Sequence, residues 1–196
     1  PENVHIPDGT IPESEVSEHC AHLDKTIREI DLMIIGFGEN GQVGFNEQGS
    51  YAKSHTRLVE LSHNSRKVQS QQFFGLENTP KMAITMGIGT IMRADRIVLM
   101  AWGEEKATAV QQIVEGEITD RVPATHLQQH HNIELVIDES AAENLTRVQT
   151  PWLVGPCEWT PKFVRKAVVW LCGIVNKPIL KLTYKDYIEN SLGQLL

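Results

Sequence analysis

The chain has 196 residues, 41% of them hydrophobic and 22% charged, with a formal net charge of −7. That length can bury a sizeable core, and the composition is that of an ordinary globular protein. The acidic balance argues against a nucleic-acid partner, which needs a basic face, and no apolar run approaches the ~20 residues of a membrane span.

Residues 1–12 read as loop, with Pro1, Pro7, Gly9 and Pro12. Ser14 can cap a helix whose apolar positions are Val16, Cys20, Leu23 and Ile27, running to Ile30. His19 and His22 lie on it and read as a solvated face rather than metal ligands. The next strand starts at Leu32, although a helix-to-strand connection normally takes ~2–6 residues. Either the helix ends early or residues are absent between Ile30 and Asp31, and absence is the preferred reading.

Residues 32–35 are an apolar run without polar alternation, as in a strand buried on both faces of a parallel sheet. Glycines follow at 36, 38, 41 and 44, where the backbone can approach a ligand and bare amides can form an anion-binding surface. In open α/β sheets ligands sit beyond the carboxyl ends of strands. Gly36, Gly38 and Gly41 spell G-x-G-x-x-G, but the fingerprint needs a helix opening at its third glycine. Here Gly44 and Gly49 follow within nine residues, so NAD and FAD are set aside. A glycine-rich turn without a ligand is the competing bland reading.

Residues 56–61 suggest a strand, and Ser62 or Asn64 can cap a helix that Gly75 ends. Residues 82–86 and 97–102 read as further buried strands, and residues 104–115 as a helix with Ala107, Val110, Ile113 and Val114 on its apolar face. Lys106 in its first turn opposes the helix dipole, so it is better placed to hold an anionic ligand. A short helix from Pro123 carries His126 and His130 at i, i+4 without an adjacent acidic partner, and a metal site there is set aside. Residues 133–137 are a fourth strand and 141–145 a short helix. The β-α-β-α-β order implies an α/β fold, a mostly parallel sheet with helices on both faces.

Pro151 opens a turn-rich connector, then Thr160-Pro161 starts an apolar helix, residues 179–182 an extended piece, and Thr183 a last helix. The expected division is 1–150 and 151–196. Cys20, Cys157 and Cys172 form neither a C-x-x-C pair nor an even framework, which suits reduced thiols in the cytoplasm.

Residues 36–50 read Gly-Phe-Gly-Glu-Asn-Gly-Gln-Val-Gly-Phe-Asn-Glu-Gln-Gly-Ser. This resembles the active-site segment of glucosamine-6-phosphate deaminases, G-x-G-x-D-G-H-I-A-F-N-E-P. Residues 54–57, 83–90 and 106–116 resemble that family's S-R-T-R, A-L-T-V-G-V-G-T and K-A-x-A…V-E-G segments in order and spacing. The resemblance covers residues 1–149. It implies a Rossmann-like phosphosugar isomerase/deaminase fold whose N-terminal part is missing, a phosphorylated amino sugar as ligand, no cofactor or metal, and a homo-oligomer. A catalytically weak phosphosugar-binding or sensor module is the alternative, and a 6-phosphogluconolactonase-like hydrolase, which shares this architecture, is the third reading.

By position, Glu47 is the family's triad glutamate and Lys106 its phosphate lysine. Gly36, Phe37, Gly38 and Gly41 belong to the substrate loop. The triad aspartate falls on Asn40 and its histidine on Gln42, which cannot exchange protons near pH 7 as imidazole does. The phosphate arginine falls on Gln71 or Gln72. Of the family's allosteric site, Ser50 and Arg57 match, but its lysine falls on Val59. Residues 151–196 resemble the segment that leads into a deacetylase-like domain in longer bacterial proteins, so a further domain is expected to follow. A slice of a longer protein is also expected to expose an apolar patch where its sheet lacks cover.

Overall fold

The computed structural model describes residues 4–27 and 29–196. The loop expected over residues 1–3 and the helix expected over residue 28 fall outside them. Two compact units form, Pro1–Ala142 and Glu143–Leu196.

The first unit opens with α1 (Glu13–Thr26), which buries Val16, Cys20 and Leu23. It begins after Pro12 without a side-chain cap, so Ser14 is inside it. Near its end the Thr26 hydroxyl donates back to His22 O at 3.0 Å, a contact that competes with the helical ladder. Ile27 leaves helical geometry (φ −96°, ψ 45°), and Ile30 O accepts from Asp95 N instead. The helix therefore ends early. Residues 29–32 are described outside helix and strand, so the helix and β1 are not separated by Asp31 alone, and the argument for absent residues loses its premise.

Strands β1 (Met33–Gly36), β2 (Arg57–Glu60), β3 (Met82–Thr85), β4 (Ile97–Ala101) and β5 (Ile133–Ile137) follow. Helices α2 (His63–Gln69), α3 (Ile88–Ile91), α4 (Ala107–Glu115) and α5 (Glu139–Ala142) lie between and after them. β1, β4 and β5 form a parallel sheet in the order β1-β4-β5, joined by crossovers that carry helices. β3 does not join it. It pairs antiparallel with β2 in a separate two-stranded sheet. Arg57 and Glu60 give β2 charged ends, which a strand covered on both faces could not hold.

The parallel sheet is asymmetric. On one face Ile97, Leu99 and Ala101 are buried, as are Ile88 and Ile91 of α3 and Val110 and Ile113 of α4. Val114, expected on the apolar face of α4, is exposed. On the other face Ile34 pairs with Val98 and Val98 with Glu134. There Ile34 is 64% exposed and Val136 43%. β1 is thus not buried on both faces, and Ile34 and Val136 are exposed apolar side chains on a face that also carries Glu134, paired with Arg96 at 2.8 Å.

The second unit contains α6 (Thr146–Gln149), α7 (Pro161–Val175) and α8 (Tyr184–Glu189). Its core is Trp152, Ala167, Leu171 and Leu192. Trp152 stacks on Trp159 at 5.9 Å between ring centroids and meets Trp170 edge-on at 5.6 Å. Thr160 caps α7 by accepting from Phe163 N, as its sequence implies, and Asn176 ends it in the left-handed region. Residues 179–181 form a 3-10 turn rather than an extended piece, and α8 stops at Glu189. Its capping box joins Thr183 and Asp186, and Lys177 pairs with Asp186 at 2.7 Å. Among the described residues no helix is long and apolar enough to cross a membrane.

Candidate functional site

The site lies beyond the carboxyl ends of β1 and β4. These adjacent parallel strands run in register, Gly36 opposite Met100. β1 runs into the glycine loop, and β4 runs into the turn at Gly103 that leads to Lys106. Asp138, just after β5, accepts from Gly103 N at 3.2 Å and so fixes that turn. Three neighbouring strand ends thereby position one cleft.

The glycine loop folds on itself. Gly38 N donates to Gln42 O at 2.8 Å and Gly41 N to Gly38 O at 2.9 Å. Asn40 N donates to Gln42 Oε1 and Phe45 N to Thr85 Oγ1. The expected row of bare amides is therefore largely used within the protein, because a nine-residue excursion with this many glycines satisfies itself first. Gly41 is sterically required, with φ +67° and Val122 packed against the place a Cβ would take, whereas a Cβ on Gly38 would displace only the end of the Gln42 side chain that lies over it.

Asn46 is the residue that motif reading passes over. It is fully buried, and its amide nitrogen donates to Val43 O at 2.9 Å and Met86 O at 2.7 Å. Its Oδ1 accepts from Arg57 Nη1 at 2.9 Å. A polar residue between an aromatic and a glutamate was the only signal for it. Glu47, the next residue, is half-buried, and its Oε1 accepts from Ser62 N at 3.2 Å.

Two adjoining cavities share Gln42 and Ser65. One, of about 410 Å³, is lined by Gly36, Phe37, Gly38 and Lys106. Lys106 makes no ion pair among the described residues and is the one cationic residue that lines this cavity. The other, of about 440 Å³, is lined by Glu39, Asn40, Gln42, Glu47 and Arg121. Gly41 lines neither; it holds the loop through Ala124 N, which donates to Gly41 O. Gln71 and Gln72 stand exposed in a 3-10 turn.

Ser50 and Arg57 are also brought together, Arg57 Nη2 donating to Ser50 Oγ at 3.2 Å. Burial lowers the Arg57 pKa from its ordinary value. Ser50 and Arg57 line a separate cavity of about 480 Å³ together with Val59, which supplies no cationic group where the family pattern has its lysine. His126 meets Asp120 at 2.7 Å, an acidic partner that sequence distance concealed, while His130 Nε2 meets Ala94 O. The two histidines thus serve different contacts. Among the described residues no group of three or more His, Cys, Asp or Glu is placed to hold a metal.

The model of the family described as glucosamine-6-phosphate isomerases/6-phosphogluconolactonase matches residues 1–137. The chain belongs to this family. It is 48% identical to a glucosamine-6-phosphate deaminase-like protein of Bacteroides thetaiotaomicron, over all of this chain and 30% of that protein. It is 38% identical to a glucosamine-6-phosphate deaminase of Staphylococcus haemolyticus, over 74% of this chain and 60% of that enzyme. The chain therefore spans less than two thirds of the length of these curated relatives. A solved monomeric glucosamine-6-phosphate deaminase shares 36% identity with a TM-score of 0.67, covering 71% of this chain and 58% of that one. A 6-phosphogluconolactonase of Trypanosoma cruzi is more distant, at 19% identity and a TM-score of 0.52, and shares the fold.

Proposed function

We propose that residues 1–150 are part of a glucosamine-6-phosphate deaminase/isomerase-like protein of amino-sugar metabolism, with altered ring-opening residues. The observation that carries this is the unpaired Lys106 lining the same cavity as the glycine loop, beside a second cavity holding Glu47. An ammonium on a flexible stem suits a phosphate, and the carboxylates and amides of the second cavity suit a hydroxyl-rich amino sugar. Asn40 and Gln42 are the altered positions, since neither exchanges protons near pH 7. Residues 151–196 then act as connector and helical extension toward a further domain, as the length of the Bacteroides relative supports. Three free thiols support a reducing, cytoplasmic setting.

Ammonia and fructose 6-phosphate formed from glucosamine 6-phosphate by the whole protein test this. Turnover that Lys106→Ala abolishes supports it. Turnover no greater than that of the Lys106→Ala control refutes it.

A second reading follows from the same two neutral amides. The domain binds a phosphosugar as a sensor or scaffold without turning it over. Binding of glucosamine 6-phosphate by calorimetry, without ammonia release, would select it.

A further inference from the structure

Helix α7 is apolar on more than one side. Residues 167–175 carry no charge, and Ala167 and Leu171 already fill the core of the second unit. Yet Val169 is 64% exposed and Ile174 57%. A helix that is apolar all round is one covered on every side. The uncovered side forms a groove of about 470 Å³ lined by Trp159, Val164, Val168, Val169 and Ile179, in which Arg165 is the one charged residue. We propose, on the reading above that residues 151–196 lead into a further domain, that this groove is the face on which that domain docks.

Two observations identify the occupant. The family model ends at residue 137, and the Staphylococcus haemolyticus enzyme matches over 145 residues. The Bacteroides protein matches the chain over its whole length, and that match fills only 30% of it. The second unit is therefore shared with a protein that has much more chain to set against it. Charge is the second observation. Glu143–Leu196 carries seven Lys and Arg against four Asp and Glu, a net +3 in a chain of net −7. Lys162 and Arg165 stand exposed in the first two turns of α7, where cations oppose the helix dipole, and neither has an ion-pair partner among the described residues. The occupant is an apolar face with an acidic rim, which the two cations would pair. A second copy docked groove to groove would instead set Lys162 and Arg165 against themselves across a two-fold axis.

Hydroxyl-radical footprinting of the whole protein, read by mass spectrometry, is the test. Ile179 lines the groove and is 59% exposed, while Ile188 of α8 does not line it and is 50% exposed. Exposure alone gives these two isoleucines similar oxidation rates. With the domain docked, Ile179 is oxidised at least about fivefold more slowly than Ile188, because the core of an interface excludes water. Val169→Glu, at an exposed site of this unit, should bring the two rates together while far-UV circular dichroism and oligomeric state stay the same. Equal rates in a wild-type protein that has the further domain overturn this inference alone. A whole protein that has no further domain overturns the reading beneath it as well. Protection of Ile179 that disappears on dilution as a dimer dissociates assigns the groove to a second copy, and protection that requires anionic phosphatidylglycerol vesicles assigns it to lipid. Either result overturns the assignment to the domain.

Discussion

Arg57 donates from Nη1 to Asn46 Oδ1 at 2.9 Å, and through that one buried amide the strand β2 holds the glycine loop. The Asn46 nitrogen carries the contact onward to Val43 O and Met86 O, so three chain segments meet at one side chain. Glu47 is the next residue along. Its carboxylate has a contact of its own as well, accepting from Ser62 N at 3.2 Å.

Asn46→Ala would remove three hydrogen bonds of a buried side chain, leaving Val43 O with only Asn46 N, Met86 O with only the longer Thr85 Oγ1 contact and Arg57 Nη1 with only His55 O. The expected loss is about 3 kcal/mol of stability, at about 1 kcal/mol for each bond removed. Urea denaturation of wild type and variant measures it. A loss below about 1 kcal/mol would show that water or a shifted loop replaces these bonds.

Sequence pattern alone located β5 at its observed bounds and the Thr160 cap. It failed where a tertiary partner decided the outcome. The extent of α1 turned on the Thr26 hydroxyl and on Asp95 reaching Ile30, neither of which periodicity encodes. β3 reads as buried from its apolar run, yet its partner is the charged strand β2. Asn46 and Asp120 were invisible because their partners lie at other places in the chain, and a motif records spacing rather than contact.

The uncovered sheet face leads to a second prediction. Ile34, Val136 and Leu32 are exposed apolar side chains around one region of the sheet. The 196-residue chain should therefore self-associate and bind a hydrophobic dye. Ile34→Glu should reduce both while changing unfolding free energy by less than about 0.5 kcal/mol, as for a surface site. Leu99→Ala, on the buried face, should cost about 3 kcal/mol. Sedimentation of a strictly monomeric, dye-free wild-type chain would contradict this account of the face.

Acid should act on the second unit first. The hydrogen bond from Lys177 holds the Asp186 carboxyl well below its ordinary range, down to about 2, and the Thr183 backbone and hydroxyl add to it. A carboxylate depressed on folding contributes stability that is fully present above its unfolded pKa of ~3.9 and is lost as pH falls through the folded value. Stability of this unit should stay level above about pH 4 and decline from there toward pH 2. Tryptophan fluorescence follows it, because Trp152, Trp159 and Trp170 pack together in this core. Asp186→Asn should flatten the decline. An unchanged acid transition in that variant would assign it to another group.

The most direct test of the proposed site is calorimetry of the whole protein with glucosamine 6-phosphate, wild type against Lys106→Ala. The account predicts saturable binding by the wild type, weakened by about tenfold or more in the variant, as loss of a charge-assisted phosphate contact of about 1.5–3 kcal/mol requires. No binding heat in the wild type, or equal affinity in the two proteins, would contradict it.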